Sequence, residues 1–302
     1  MLTVVIPSYN HAEYVVESLR AALAIDVPGL KVLVVDDGSK DASVDLINAH
    51  IAEAELQDFV TLIAKANGGV VSSLNLALGM IDTEFCWLVA SDDILMAEGV
   101  KQLFEAISAN SDMAFIMGGG HYFNEQGRGL PVYKSQHADF FALTPERRDE
   151  AIFLAYPSPL LLQSSIFRTR ALQEIGGWDP ALKWDDYPTF VKLLQRHRQC
   201  GVHFDFMPQV DCVGYRQHGV NTYKNVGAQF FMVRQVMQAL APDHLQSRAI
   251  SRAFAFYFLV ALKNRKLGLF RQVFRSCSSG ELLRGVAAIP VVAIKYIWNK
   301  LK

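Results

Sequence analysis

The 302-residue sequence predicts an α/β fold with a mostly parallel central sheet, followed by a C-terminal helical segment. The first observation is that four short apolar runs alternate with segments of helical periodicity in the first third of the chain. The second is that the connections are short, which in a β-α repeat implies parallel strands with right-handed crossovers. Finally, neither G-x-G-x-x-G nor G-x-x-x-x-G-K-[ST] follows the first strand, which argues against dinucleotide-binding and P-loop domains.

The four β-α units can be placed in order along the chain. The first strand stops at Pro7, and the loop after it ends at Asn10, which can cap the next helix with Glu13 three positions on. Another helix is expected over residues 70–80. The predicted strands span 3–6, 32–35, 59–63 and 85–89, and the loops at the same edge of the sheet are 7–10, 36–39, 67–69 and 91–93.

The pattern weakens beyond residue 110. A strand is expected at 115–117, and the glycines and polar residues that follow it predict loops over a site. Apolar spacing predicts a helix behind the pair Asp185-Asp186. A further strand is expected at 202–206, and a polar loop at 213–221.

Asp92 and Asp93 directly follow the fourth strand, where an open α/β sheet binds its ligands. Carboxylates are preferred ligands of Mg²⁺ and Mn²⁺, which usually also hold substrate phosphates. The pair therefore indicates a metal–diphosphate site. The alternative is that both residues only begin the next helix, where acidic side chains suit the helix dipole.

Charge is distributed unevenly although the net charge is only -1. Residues 226–302 carry twelve Lys/Arg and two acidic residues, whereas the first 225 residues are acidic overall. The tail also has apolar runs at 253–262 and 286–294, each too short to span a bilayer. They suit interfacial helices on an anionic membrane, although ordinary core helices are the alternative.

Other features narrow the class of protein. The four cysteines lack zinc-site spacing and suit a reducing compartment, and the amino-terminal stretch predicts a first strand, not a signal peptide. We expect a cytoplasmic protein at the inner face of the plasma membrane, with no nucleic-acid partner.

Seven short motifs occur in a recognisable order, and together they resemble the inverting glycosyltransferases of family 2, which have the GT-A fold. The resemblance covers residues 2–222. It implies a nucleotide-sugar-binding half at 1–115 and an acceptor-binding and catalytic half at 116–225. Composition predicts that a basic, apolar helical tail follows at 226–302. The motifs are Val4-Val5-Ile6-Pro7-Ser8-Tyr9-Asn10, Val35-Asp36-Asp37-Gly38-Ser39, Asn67-Gly68-Gly69, Ser91-Asp92-Asp93, Gly176-Gly177-Trp178-Asp179, Trp184-Asp185-Asp186-Tyr187 and Tyr215-Arg216-Gln217-His218.

The resemblance implies a donor site. Tyr9 would stack on the nucleotide base and Asp37 would accept its ring N–H, while Asp36 serves as a structural acceptor or a lesser ribose contact. Gly68 would allow phosphates to approach a helix N-terminus, unless that stretch is a plain turn and cap. The implied donor-binding residues are Pro7, Tyr9, Asp37, Asn67, Gly68 and Asp92, the last of these as the ribose contact.

The resemblance also implies a divalent metal, Mn²⁺ or Mg²⁺. Asp93 would be its ligand, and His218 would complete the metal or diphosphate site. A structural role is the alternative for the histidine. The sequence departs from many family members, because Ala90 stands where they carry a further Asp and Leu74 where they carry an Arg.

Asp186 resembles the family's catalytic base, which takes the proton of the acceptor hydroxyl as that oxygen attacks the anomeric carbon. Asp185 and Trp184 are weaker candidates for acceptor contacts. The alternatives are that the two carboxylates cap a helix and that the tryptophan belongs to the core.

These observations predict a metal-dependent inverting glycosyltransferase. It would move a sugar from a nucleotide-diphosphate donor, with a UDP-sugar favoured, to a glycan or lipid-linked acceptor in surface polysaccharide synthesis. A non-catalytic carbohydrate- or nucleotide-binding relative is one alternative. A sugar-nucleotide nucleotidyltransferase is a weaker one, because it would want a glycine-rich basic loop where 7–10 stands.

Overall fold

The computed structural model describes residues 1–218, 226–263, 273–274 and 277–301. Strands and helices alternate over the first hundred residues, as predicted. The strands are β1 Leu2–Ser8, β2 Lys31–Asp36, β3 Val60–Ala64, β4 Phe85–Leu88, β5 Ile94–Leu95, β6 Phe115–Asn124, β7 Gly127–Pro131, β8 Ser165–Arg168 and β9 Phe204–Arg216. The helices are α1 Val15–Leu23, α2 Ser43–Glu53, α3 Val70–Met80, α4 Ala97–Ser108, α5 Ser135–Phe141, α6 Pro145–Leu154, α7 Thr169–Glu174, α8 Asp186–Arg196, α9 Val226–Leu240, α10 Asp243–Lys263 and α11 Ser279–Leu301.

In the described part of the chain, nine strands form one sheet in the order β3-β2-β1-β4-β8-β6-β9-β5, with β7 paired to β6. The strands β3, β2, β1 and β4 are mutually parallel, and so are β6 and β9. β8 is antiparallel to both of its neighbours, and β5 is antiparallel to β9. The mostly parallel α/β fold is therefore confirmed.

Apolar side chains from both faces of the sheet form the core. Ile6, Val34 and Trp87 from three adjacent strands are buried, as are Leu19 of α1 and Leu103 of α4. This burial follows from the β-branched strand runs and the helical spacing of apolar residues seen in the sequence. The core fixes the strand ends that carry Asp36, Asp37, Asp92 and Asp93.

Three local predictions are wrong, and the first two concern the start of α1 and the end of β9. Asn10 does not cap α1: it adopts a positive φ of 53°, its Oδ1 accepts the Lys40 N–H at 2.8 Å, and the helix begins at Val15. The residues 213–216 belong to β9 and not to a loop, and residues 219–221 of that predicted loop lie outside the described residues.

The three consecutive glycines lie inside β6 and not in a loop over the site. These glycines allow β9 to lie close to β6. A Cβ on Gly118 would come within 2.6 Å of the Cys212 sulfur, and one on Gly119 would collide with the Pro208 carbonyl oxygen. The register between β6 and β9 shifts at these residues, where β9 has extra residues. Only residues without a side chain leave room for this irregular crossing.

The chain divides into two compact units, one of residues 1–142 and 158–218 and the other of residues 143–157 and 219–302. In the second unit, Ser278 and Glu281 form a reciprocal capping box at the start of α11, with Ser278 N–H donating to Oε2 at 2.6 Å and Glu281 N–H to Oγ at 3.3 Å. None of the helices in the described ranges combines the length and apolarity needed to cross a bilayer.

Candidate active site

Asp92 and His218 meet at the carboxyl edge of the sheet. Asp92 lies in the short connection between β4 and β5, and His218 lies two residues beyond the end of β9. Antiparallel pairing of β5 with β9 brings the two segments together, and the His218 Nε2 lies 2.8 Å from Asp92 Oδ2. Both side chains are largely buried, at 11% and 12% exposure. His218 and Asp92 therefore lie together at this edge of the sheet.

Asp93 has a different environment from its neighbour. Its side chain is fully buried, its Oδ1 accepts the Arg216 backbone N–H at 2.8 Å, and its Oδ2 accepts the Gln163 amide at 3.1 Å. Burial and then the negative charge of Asp92 raise the pKa of Asp93 well above the ordinary aspartate value. Both oxygens therefore accept hydrogen bonds within the protein.

Arg216 holds this edge together. Its Nε donates to the Asp92 carbonyl at 2.7 Å and its Nη2 to Glu17 at 2.5 Å. The guanidinium also lies over the rings of Tyr14 and Phe123, 4.8 and 4.4 Å from their centroids. The positive charge of Arg216 is thus matched by Glu17 within the protein.

Two aromatic residues near His218 were missed from the sequence. Tyr14 stacks on the His218 ring with centroids 5.2 Å apart, and His11 lies edge-on to it at 6.2 Å. The His11 Nδ1 also lies 2.7 Å from the Ser91 hydroxyl. The available signal was their position, because they follow the first strand closely and so belong to the same sheet edge as Ser91.

The Asp92–His218 pair fits a divalent metal that is shared with a substrate. Among the described residues, no group of three or more His, Cys, Asp and Glu side chains could hold a metal ion by itself. One carboxylate oxygen and one imidazole nitrogen would leave the other coordination positions to diphosphate oxygens and water. Such partial protein ligation is usual for ions held by carboxylates and substrate phosphates.

Asp37 is tied to the start of α3. Its Oδ1 accepts the Gly68 N–H at 2.9 Å and its Oδ2 the Gly69 N–H at 2.7 Å, and it forms an ion pair with Lys65. Burial alone would raise the pKa of Asp37, but Lys65 and the two amides together lower it below the ordinary value. These two amides are thus bonded to a carboxylate, so they are not the free phosphate donors expected from the glycine-rich turn.

The remaining donor-side candidates surround this carboxylate. Asp36 accepts both the amide and the hydroxyl of Ser39, at 2.8 and 2.5 Å, as a structural acceptor of loop groups would. A structural acceptor is one of the two roles considered for Asp36 from the sequence. Tyr9 is 43% exposed at the end of β1, next to the partly buried Pro7, and Asn67 is exposed. An exposed aromatic face beside a buried acid is a suitable surface for a planar base.

Asp186 is the first residue of α8 and faces the turn before β8. Its Oδ1 accepts the Leu162 backbone N–H at 2.8 Å. Burial and then the adjacent Asp185 raise the pKa of Asp186 well above the ordinary value, and burial also raises the pKa of Asp185. Trp184 stacks on the buried ring of Tyr187 at 4.9 Å, so at least one face of its indole is used in packing.

One short turn connects the two acidic pairs. Residues 162–164 form a single 3₁₀ turn, in which the Leu162 N–H binds Asp186 and the Gln163 side chain binds Asp93. The turn is held by the Trp87 indole N–H, which donates to the Gln163 carbonyl at 2.9 Å, and by the Tyr133 hydroxyl, which lies 2.6 Å from Ser164 Oγ.

The fold is similar to that of the GT-A glycosyltransferases. The structure is similar to that of S. aureus TarS 1–349 in complex with UDP-GlcNAc, with a TM-score of 0.61 and 18% identity over 96% of this chain and 80% of that one. It is also similar to a mannosyltransferase from Pyrobaculum calidifontis in complex with GDP-Man and Mn²⁺, with a TM-score of 0.57 and 17% identity over 99% of this chain and 87% of that one. At these identities the likeness establishes the fold.

The sequence matches glycosyl transferase family 2 over residues 3–170. This chain belongs to that family. An uncharacterized glycosyltransferase of Rickettsia conorii is 26% identical over 211 residues, which cover 68% of this chain and 32% of that protein. A Rickettsia typhi relative is 25% identical over 68% of this chain and 61% of its own length. The matched part of this chain thus spans a third to three fifths of these relatives.

Proposed function

We propose that this protein is a metal-dependent inverting glycosyltransferase that moves a sugar from a nucleotide-diphosphate donor to a hydroxyl group. The observation that supports this most directly is the joining of two sites by the turn at 162–164. On one side lies the Asp92–His218 pair, and on the other lies Asp186 with a raised pKa. A donor-diphosphate site and a base for the acceptor would need this proximity.

The metal ligands in this proposal are Asp92 and His218. The sequence pointed to Asp93 as the ligand and to Asp92 as a ribose contact. We favour Asp92 because its Oδ2 faces the imidazole and its side chain is 12% exposed. The Asp93 side chain, by contrast, is fully buried and accepts hydrogen bonds from Arg216 and Gln163. When bound, Mn²⁺ or Mg²⁺ would offset the negative charge that develops on the leaving diphosphate.

Asp186 takes the acceptor proton. As the acceptor oxygen forms its bond to the anomeric carbon, the bond from that carbon to the diphosphate oxygen breaks and its electron pair leaves with the diphosphate. The hydroxyl proton moves to the Asp186 carboxylate. The hydrogen bond from Leu162 occupies Oδ1, so Oδ2 is the oxygen that we assign to this transfer. Attack opposite the leaving group inverts the anomeric configuration. Asp185 and Trp184 stay weaker candidates for acceptor contacts.

A UDP-sugar is the favoured donor. Tyr9 presents an exposed ring for base stacking, and Asp37 keeps its carboxylate ionised beside Lys65, as an acceptor of a base N–H requires. The base N–H would share an Asp37 oxygen with a backbone amide, which the two lone pairs of each carboxylate oxygen allow. Pro7, Asn67 and Gly68 lie on the adjoining loops. A structural neighbour binds UDP-GlcNAc and another binds GDP-Man with Mn²⁺, which supports a nucleotide-sugar donor of this kind.

The acceptor in this proposal is a glycan or a lipid-linked glycan, in surface polysaccharide synthesis at the cytoplasmic membrane face. A poly-β-1,6-N-acetyl-D-glucosamine synthase of Staphylococcus epidermidis and a chondroitin synthase of Escherichia coli are among the relatives. The basic, apolar segment 226–302 supports the membrane placement.

Donor hydrolysis tests the proposal. The protein is incubated with UDP-, GDP- and dTDP-sugars in Mn²⁺ or EDTA, and the released nucleoside diphosphate is measured, with Asp186→Asn as the catalytic control. We expect one UDP-sugar to be hydrolysed only with metal. Formation of a nucleoside triphosphate when pyrophosphate is added would instead indicate a nucleotidyltransferase. Metal-dependent UDP binding without turnover in the presence of a glycan acceptor library would indicate a non-catalytic relative.

A further inference from the structure

The outer face of α11 is apolar and exposed. Leu283, Val286, Val291 and Ile294 have 75%, 52%, 60% and 67% of their surface accessible. We call these four residues the α11 stripe. Their spacing places them within one face of the helix, since residues three, four, seven, eight and eleven positions apart share a side.

The opposite face of α11 packs inside the second unit. Gly285 lies so close to the Phe254 ring of α10 that a Cβ there would collide with it, and Glu281 is buried beside Arg234 at 3.7 Å. These contacts fix the rotation of α11 about its axis. The α11 stripe is therefore outside because the other face of the helix is committed to α10, and a rotation that buried the stripe would break both contacts.

Exposed apolar side chains are concentrated in the second unit. Among the described residues, eight large apolar side chains are exposed there against nine in the first unit, although the first unit has far more described residues. An exposed apolar surface such as the α11 stripe is typical of a site that binds another protein or a membrane.

The net charge of residues 226–302 indicates which kind of partner would bind the α11 stripe. Residues 226–302 contain twelve Lys/Arg and two acidic residues, so the segment carries a net charge of +10. Arg284 is exposed beside Leu283, and the sequence places Lys295, Lys300 and Lys302 after Ile294. Two copies that docked through this face would bring like charges together, whereas an anionic bilayer would attract them.

We propose that the α11 stripe is the element that inserts into an anionic lipid bilayer, with α11 lying in the plane of the interface. This deepens the membrane placement of the proposed function, and it does not depend on the transfer chemistry. Apolar insertion and attraction of basic residues to acidic headgroups act together in such helices. The stripe, rather than the basic segment as a whole, is then the surface that determines membrane binding.

Vesicle flotation with the full chain tests the proposal. The stripe variant replaces Leu283, Val286 and Ile294 by Gln, and the matched control replaces Leu46, Phe59 and Leu130, three exposed apolar residues of the first unit, in the same way. Vesicles contain phosphatidylcholine alone or with about 30% phosphatidylglycerol. Donor hydrolysis and thermal unfolding of both variants serve as independent readouts of the active site and the fold.

We expect the wild type and the control to float with the anionic vesicles, and the stripe variant to lose at least tenfold in bound fraction at unchanged hydrolysis. Equal flotation of the stripe variant and the wild type would overturn the proposal. It would also be overturned if the wild type did not float, or if sedimentation velocity showed a dimer that the stripe variant dissociates. If the stripe variant unfolds, the single changes Leu283→Gln and Ile294→Gln replace it, and each is expected to weaken flotation.

Discussion

Two adjacent pairs of aspartates, Asp92–Asp93 and Asp185–Asp186, look alike in the sequence but differ in what their oxygens contact. In the first pair the second residue is fully engaged, because Asp93 accepts hydrogen bonds on both oxygens. In the second pair, Asp186 accepts one such bond, from the Leu162 N–H to Oδ1. Both carboxyls have a raised pKa, so a pKa shift alone does not distinguish a structural acid from a base.

In our proposal, this difference in hydrogen bonding gives the two aspartates of each pair different roles. The fully buried Asp93, which accepts hydrogen bonds from Arg216 and Gln163, would position the strand end. Metal binding then belongs to its neighbour Asp92. An acid with one oxygen outside these bonds can accept a proton. The turn at 162–164 forms hydrogen bonds with Asp93 and with Asp186, so the two aspartate pairs belong to one hydrogen-bonded network.

The largest effect is expected for Asp186→Asn. The amide cannot accept the acceptor proton, so kcat should fall by about 10²–10⁴-fold. Binding of UDP with Mn²⁺, measured by calorimetry, should remain within twofold of the wild type because the donor side is untouched. Full transfer activity in this variant would show that Asp186 is not the base.

A smaller effect is expected for Gln163→Ala, which removes the amide donor to Asp93 but leaves the turn's backbone intact. We expect kcat/KM to fall roughly tenfold or more, as for other residues that orient metal-site groups. The affinity for Mn²⁺ in the presence of UDP, measured by titration, should fall with it, while Gln163→Glu should be worse because it places a second negative charge beside a buried acid. Unchanged Mn²⁺ affinity in both variants would show that the turn does not influence the metal site.

The pH dependence of kcat/KM should distinguish the influence of Asp185. The base must be ionised, so activity rises as the pH passes upward through the raised pKa of Asp186. Burial is the larger cause of that raised pKa and Asp185 is the second. Asp185→Asn removes the like charge, so the acid limb should move part of the way to lower pH. A limb that stays in place or moves to higher pH would contradict the assignment.

The smallest effect concerns stability. The pKa of Asp93 is raised in the folded state, so its contribution is favourable at low pH and is lost as the pH rises through that pKa. Asp93→Asn cannot ionise. Its free energy of unfolding in urea should therefore improve relative to the wild type as the pH rises, by about 1.4 kcal/mol for each pH unit that separates the ordinary pKa from the raised one. A difference that does not change with pH would show that the carboxyl is not perturbed by burial.

The sequence predicted the order of strands and helices well, because apolar periodicity is a local property. The helix at 70–80 agrees with the observed bounds of α3, and the acidic loops do follow β2 and β4. The contacts that distinguish Asp93 from Asp92 could not be predicted. The two residues that bind Asp93, Arg216 and Gln163, lie 123 and 70 residues from it in the sequence. Nor does periodicity show that the glycines at 118–120 accommodate another strand rather than a loop.

Calorimetry of UDP binding in the presence of Mn²⁺ tests the central claim most directly, with Asp92→Asn and Asp93→Asn as a matched pair. If Asp92 and His218 hold the metal, Asp92→Asn should abolish the gain in UDP affinity that Mn²⁺ gives, and Asp93→Asn should keep most of it. The opposite pattern, with the gain lost only in Asp93→Asn, would contradict this account and restore Asp93 as the ligand.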